Sequence, residues 1–175
     1  YLPVEIFKSM RLSSVPDDKI IRTLQSSATS SQTPSTVVID SETRKRQMKT
    51  LVWLLSNRLG KSRRPFVIFD VDPKTISPAQ GTISARAAAV RGFLTAASSV
   101  DYCMSMDQAG EMRVEIDRVE SALKKAQDLG KPAVIFGYTY VFYVYVAKEL
   151  QRRGVKFELP HVTILHIGGW KKLQS

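Results

Sequence analysis

Apolar positions along this chain repeat with two different periods. Between Ser41 or Glu42 and Leu59, the residues Met48, Leu51, Val52, Leu55 and Leu59 fall at helical spacing on one face. Ser41 is a plausible N-cap for that helix and Gly60 a plausible stop. Phe66–Val71 is a short, almost unbroken apolar run, the pattern of a strand buried on both faces. Further along, Ser84–Ala97 reads as an alanine-rich helix, Val100–Met104 as a strand, and Glu111–Leu129 as a helix closed by Gly130. Met112, Ile116, Val119, Leu123 and Ala126 share one face of that last helix. Ala133–Phe136 and Val162–Leu165 complete the set as strands. The stretch 138–153 carries two signals. Val141–Val146 is β-prone in composition, while its continuation to Gly154 has a helical ending with basic residues before a glycine. A helix keeps the alternation of strand and helix and lets the flanking strands run parallel, so a helix is expected. The fold class that follows is α/β: a mainly parallel, doubly wound sheet with helices on both faces, read as a single domain over residues 1–175. In such sheets ligands bind at the carboxyl ends of the strands.

The N-terminal part breaks the alternation. Lys19–Gln25 and Thr36–Asp40 flank a hydroxyl-rich loop, residues 26–35, of low complexity. Such a loop serves either as a flexible connection or as an anion cradle, in which backbone N–H groups and hydroxyls wrap a phosphate.

Composition narrows the classes. The chain has 175 residues, 43% hydrophobic and 24% charged, enough for a sizeable core. The longest apolar run, Tyr140–Ala147, is far too short to span a membrane. A lone Cys103 gives no disulfide framework, and no secretory signal opens the chain, so a reducing, cytoplasmic setting is expected. The first residue is Tyr1 rather than Met, and the chain stops abruptly after Lys171-Lys172, so a piece of a longer protein is expected. The net charge of +10 is spread over Arg44–Arg46, Lys61–Arg64, Lys124-Lys125, Arg152-Arg153 and Lys171-Lys172. Scattered charge of this kind reads as solvated helix faces rather than a nucleic-acid surface.

The densest chemistry lies at the end of the last strand, in His166-Ile167-Gly168-Gly169-Trp170-Lys171-Lys172. Two glycines after a strand permit a sharp turn and a close approach of ligand to backbone, the indole offers a stacking surface, and the lysines add positive charge. That set suits a purine nucleotide. Elsewhere, Asp70-Val71-Asp72-Pro73-Lys74-Thr75 resembles the Asp-x-Asp-x-Thr signature of haloacid-dehalogenase phosphatases, but Lys74 stands where the threonine belongs. Acids capping a strand end before a turn is the preferred reading. Cys103 reads as a buried structural thiol, and His161 and His166 as strand-end or core histidines without metal-ligand spacing. Arg86 and Arg91 share the alanine-rich helix, and whether they reach a phosphate or only solvent stays open.

Several of these pieces together resemble the acyl-protein synthetases of bacterial luminescence, relatives of the adenylate-forming acyl-CoA synthetases. The resemblance is carried by Ser84–Phe93, by Ile135–Tyr140 and by Leu165–Lys172, in matching order and covering nearly the whole chain. The loop at 26–35 is similar to the phosphate loop Ser-Ser-Gly-Thr-Thr-Gly of the wider superfamily, with Ala28 and Ser31 where that loop has glycines.

The resemblance implies part of the N-terminal domain of an adenylate-forming enzyme. It implies activation of a fatty acid or other acyl substrate with ATP and Mg²⁺, transfer of the acyl group to a cysteine of the synthetase, and delivery to an acyl reductase partner. It also implies nucleotide-binding roles for Ser26, Ser27, Thr29, Ser30 and Ser31 in the loop, for Gly168, Gly169 and Trp170 beside the adenine, and for Lys171 next to them in sequence. The catalytic lysine, the acylated cysteine and the acidic magnesium ligand are expected beyond Ser175, and no metal ligand is assigned within the chain. Neither a nucleic-acid partner nor a membrane span is expected. The alternative is a degenerate, non-catalytic relative that serves as an acyl carrier or partner-binding module.

Overall fold

The computed structural model describes residues 3, 5–26, 33–75 and 82–169. In chain order its elements are α1 (Ile6–Ser9), β1 (Ile20–Gln25), β2 (Thr36–Asp40), α2 (Ser41–Leu59), β3 (Arg64–Val71), β4 (Thr82–Ser84) and α3 (Ala85–Phe93). They continue with β5 (Ala97–Met106), β6 (Met112–Val114), α4 (Ile116–Leu129), β7 (Ala133–Tyr138), α5 (Thr139–Val141), a π-helical segment (Phe142–Ala147), α6 (Lys148–Arg152) and β8 (Val162–Ile167). The stretch read from the sequence as one α/β domain divides into two compact units, Tyr1–Lys61 with Ser77–Thr95, and Ser62–Ile76 with Ala96–Ser175.

The first unit holds a three-stranded sheet in the order β2-β1-β4, with β2 antiparallel and β4 parallel to β1. At the turn into α2 the cap is Asp40 rather than the expected Ser41: the Asp40 carboxylate accepts the Thr43 N–H at 2.7 Å. An aspartate there satisfies an orphan donor and opposes the helix dipole, which a serine does less well. Gly60 closes α2 at φ 82°, as the sequence indicates. The alanine-rich helix is shorter than expected. Thr82–Ser84 is drawn into the sheet as β4, and after Phe93 the chain tightens into a 3₁₀ turn before β5. Gly92 explains how α3 meets α2: a Cβ there would stand 2.7 Å from Leu51 Cδ2.

The second unit carries a five-stranded sheet, β6-β5-β3-β7-β8. β5, β3, β7 and β8 run parallel, as expected, and β6 is antiparallel to β5. The α/β class and the run of four parallel strands therefore stand, in a sheet that is mixed. β6 occupies residues assigned from the sequence to the start of a helix, since α4 begins only at Ile116. The cause is the turn before it. Asp107 accepts the N–H groups of Ala109 and Glu111, both at 2.9 Å, and Gly110 adopts φ 79°, so the chain folds back on β5 as a hairpin.

β3 is buried along Phe66–Val71, and its side chains Val67, Phe69 and Val71 join Cys103, Met104, Val119, Leu123, Ile135, Val141 and Val146 in the core of this unit. Residues 139–152 are helical, against the β-prone composition of Val141–Val146. The widened π turn brings residues five apart toward one side, and Val141 and Val146, spaced by five, are both buried. Burial of these two valines outweighs strand propensity. Among the described residues no helix is long and apolar enough to cross a membrane.

Candidate functional site

The parallel register of β7 and β8 sets Tyr138 beside Ile167, so Thr139 and Gly168 leave the sheet side by side at its carboxyl edge. Gly168 turns there at φ 81°, in the region that favours glycine. A Cβ at Gly168 would also approach Tyr138 Cδ1 to 3.3 Å, whereas a Cβ at Gly169 would meet nothing within 4 Å. Among the described residues the turn thus leaves space open at Gly169, as a ligand-facing backbone requires.

One buried side chain holds this turn. Thr139 is 8% exposed, and its Oγ1 lies 2.8 Å from the Gly168 carbonyl, 3.2 Å from the Ile167 carbonyl and 3.0 Å from His166 Nδ1. His166, read from the sequence as a strand-end or core histidine, sits in β8 and is exposed rather than in the core, with its ring tied to Thr139. Sequence reasoning assigned Thr139 no role of its own; its signals were its place directly after a buried strand and within the segment Ile135–Tyr140 that carries the resemblance. Trp170 and Lys171 lie outside the described residues.

In the first unit, Ser26 closes the mouth of the hydroxyl-rich loop. Its N–H donates to the Ser35 carbonyl at 3.0 Å, and its Oγ accepts the Ser35 N–H at 2.9 Å. Ser27, Thr29, Ser30 and Ser31 lie outside the described residues, as does Ala28. On β1, four residues before that mouth, Arg22 is half-buried. Burial, followed by the like charges of Arg44 and Arg91, pulls its guanidinium below the usual arginine range. None of these three arginines has an ion-pair partner among the described residues. Arg91, left open by the sequence, thus belongs to a cluster of like charge drawn from β1, α2 and α3. Arginines so far apart in the chain give no local motif.

The remaining candidates resolve as structure. Asp72 Oδ1 accepts the Lys74 N–H at 2.9 Å, and its carbonyl accepts both the N–H and the hydroxyl of Thr75, at 3.0 and 2.8 Å. Asp70 is buried, and its Oδ1 accepts the Val71 N–H at 2.8 Å. These are acids organising a strand end and a turn, as preferred over the phosphatase reading. Cys103 has no exposed surface and its Sγ donates to the Asp101 carbonyl at 3.7 Å. Burial, with the nearby Asp101 charge, pushes its thiol up to about 12, which makes it inert as a nucleophile at neutral pH. Beside it, a cavity of about 790 Å³ between β5 and α4 is lined by Asp72, Asp101, Ser105, Arg118 and Lys125 among others. It includes none of the residues expected to bind nucleotide.

Searches of curated proteins and of solved structures each returned no match. A family model described as "Acyl-protein synthetase, LuxE" matches residues 1–175, the whole chain. It spans all three segments that carry the resemblance, including the glycine turn that β8 presents at the sheet's carboxyl edge. This chain belongs to the acyl-protein synthetase (LuxE) family.

Proposed function

We propose that the chain is part of an ATP-dependent acyl-protein synthetase, which joins a fatty acid to AMP and then passes the acyl group to a protein cysteine and on to a reductase. The observation that carries this reading is the family match over the whole chain. In the first step a carboxylate oxygen of the fatty acid attacks the α-phosphorus of ATP, the bond to the β-phosphate oxygen breaks, and pyrophosphate leaves. In the second, a thiolate attacks the acyl carbonyl carbon and AMP leaves. Both steps gain chiefly from holding two reactants in line and from neutralising phosphate charge.

Two features of the chain support nucleotide handling, one in each unit. In the second unit, the Gly168–Gly169 turn gives a purine an open approach to the backbone, and Trp170 and Lys171 follow in sequence. In the first, Arg44 and Arg91 each bring like charge to the half-buried Arg22, a repulsion an anion would relieve, and Ser26 holds the hydroxyl-rich loop closed at its base. Loop residues Ser27, Thr29, Ser30 and Ser31 are proposed as phosphate contacts. The described residues provide no group of three carboxylate, histidine or cysteine side chains able to hold a metal, so no step is assigned to Mg²⁺ here. Cys103, buried and with its pKa raised, is not proposed as the acyl acceptor.

A second reading, a non-catalytic relative acting as a carrier or partner-binding module, is favoured by Ala28 and Ser31, which stand where the superfamily loop has glycines. Exchange of labelled pyrophosphate into ATP by the full-length protein separates the two. Exchange that depends on added fatty acid is the expected result. ATP binding without any exchange would favour the non-catalytic relative.

A further inference from the structure

Thr139 is surrounded by more hydrogen-bonding groups than its hydroxyl can satisfy in the same way. A threonine hydroxyl has a single proton and otherwise only accepts. Two carbonyl oxygens, those of Gly168 and Ile167, lie 2.8 and 3.2 Å from Thr139 Oγ1, and neither can donate. Directing the proton elsewhere would leave oxygen lone pairs facing each other at these distances inside a buried site, an arrangement that costs free energy. The proton therefore goes to the carbonyls. The third neighbour, His166 Nδ1 at 3.0 Å, must then be the donor. In a neutral imidazole, a proton on Nδ1 leaves Nε2 as an acceptor. His166 is exposed, and Nδ1 makes its one hydrogen bond among the described residues.

We propose that Thr139 fixes His166 in the Nδ1–H form, so that Nε2 stands as a hydrogen-bond acceptor for the amino group of an adenine seated at the Gly168–Gly169 turn. The assignment of a purine to that turn rests on the function proposed above; the protonation of His166 does not. Thr139 is the positioning residue, since it orients both the ring and the Gly168 carbonyl. His166 is the specificity residue. An adenine donates from its 6-amino group. A hypoxanthine carries a carbonyl at that position and would face the Nε2 lone pair with another acceptor. A site that pairs with an N–H discriminates against an analogue lacking it, because its own polar group is left unpaired.

Two measurements on the full-length protein test this. Long-range ¹H–¹⁵N correlation spectra, recorded where histidine is neutral and with His166 assigned from His166→Phe, should show Nδ1 protonated and Nε2 bare. Loss of that pattern in Thr139→Val and its retention in Thr139→Ser are expected. His166 found mainly in the Nε2–H form in the unaltered protein would overturn the proposal. Equilibrium binding of ATP and of inosine triphosphate should favour ATP by about tenfold, the effect of roughly one hydrogen bond. The preference should vanish in Thr139→Val and His166→Phe, through weaker ATP binding and relief of the lone-pair clash that disfavours inosine triphosphate, and persist in Thr139→Ser. An unchanged preference in folded His166→Phe would overturn the role in specificity. If neither triphosphate binds the unaltered protein while the histidine pattern is as expected, the nucleotide reading itself fails, and with it the ligand assigned to Nε2.

Discussion

Gly168 and Gly169 are adjacent in sequence and differ in what they require. Gly168 needs its hydrogen atom for backbone reasons, at φ 81°, while Gly169 faces open space. Gly168→Ala should therefore lower stability by about 1 kcal/mol through left-handed strain, seen as a lower denaturation midpoint. Gly169→Val should leave that midpoint in place and weaken ATP binding by occupying the purine's approach, which isothermal titration would measure. Equal stability loss in both variants would contradict the distinction. A separate expectation concerns Cys103, fully buried and with its thiol raised to about 12. It should resist thiol reagents in the folded protein and react only on denaturation, and rapid labelling under native conditions would refute that. The glycine turn was legible from the two letters after a β-branched run. The hydroxyl that holds it was not, because Thr139 and His166 are 27 residues apart and meet only through the β7–β8 register.

At the level of elements, the long periodic segments α2 and α4 and the buried strands β3 and β7 were readable because burial enforces their patterns, while β8, none of whose residues is buried, was readable from its β-branched run alone. β6 was not, since Met112 keeps helical spacing to Ile116 and so mimics one more turn of α4; the Asp107 turn and Gly110 decide for the hairpin. Packing between strands gives a further prediction. A Cβ on Gly137 would stand 3.0 Å from Phe69 Cβ, across the β3–β7 ladder in a fully buried region. Gly137→Ala should cost about 1–3 kcal/mol by overpacking, and a denaturation midpoint equal to wild type would show that the two strands can move apart freely. At the end of α6, Arg153 reaches Glu149 at 3.1 Å, and Asp117 and Glu120 on α4 at 2.7 and 2.9 Å. Hydrogen bonds from Arg152 and then Arg153 pull the Glu149 carboxyl down to about 2. Because its folded pKa lies below the unfolded value, its stabilising contribution is complete above that unfolded value, about 4.3, and is lost as pH falls toward the folded one. Thermal melts should therefore lose more stability across this acid window in the unaltered protein than in Glu149→Gln. Parallel loss in both would remove Glu149 from the linkage.

For the molecule as a whole, the family was legible from three short segments, and the match over residues 1–175 agrees with them. The division into two compact units was not legible, because β4 and α3 return to the first unit after β3 has entered the second, and no composition break marks either crossing. Nor was the arginine cluster: Arg22, Arg44 and Arg91 are drawn together only when β1, α2 and α3 assemble. If that cluster receives phosphate, Arg22→Ala should weaken ATP binding with a smaller dependence on salt, while retention of both would mark the cluster as surface charge alone. The central claim, ATP-dependent formation of an acyl-protein bond, is tested most directly by incubating the full-length protein with radiolabelled fatty acid, with and without ATP, and following label on the denatured polypeptide. The account predicts ATP-dependent label that hydroxylamine releases, as a thioester requires, and that survives Cys103→Ser. No covalent label from a folded protein that binds ATP, or label that forms equally without ATP, would contradict it; label abolished in a folded Cys103→Ser variant would overturn the exclusion of Cys103 as the acyl acceptor.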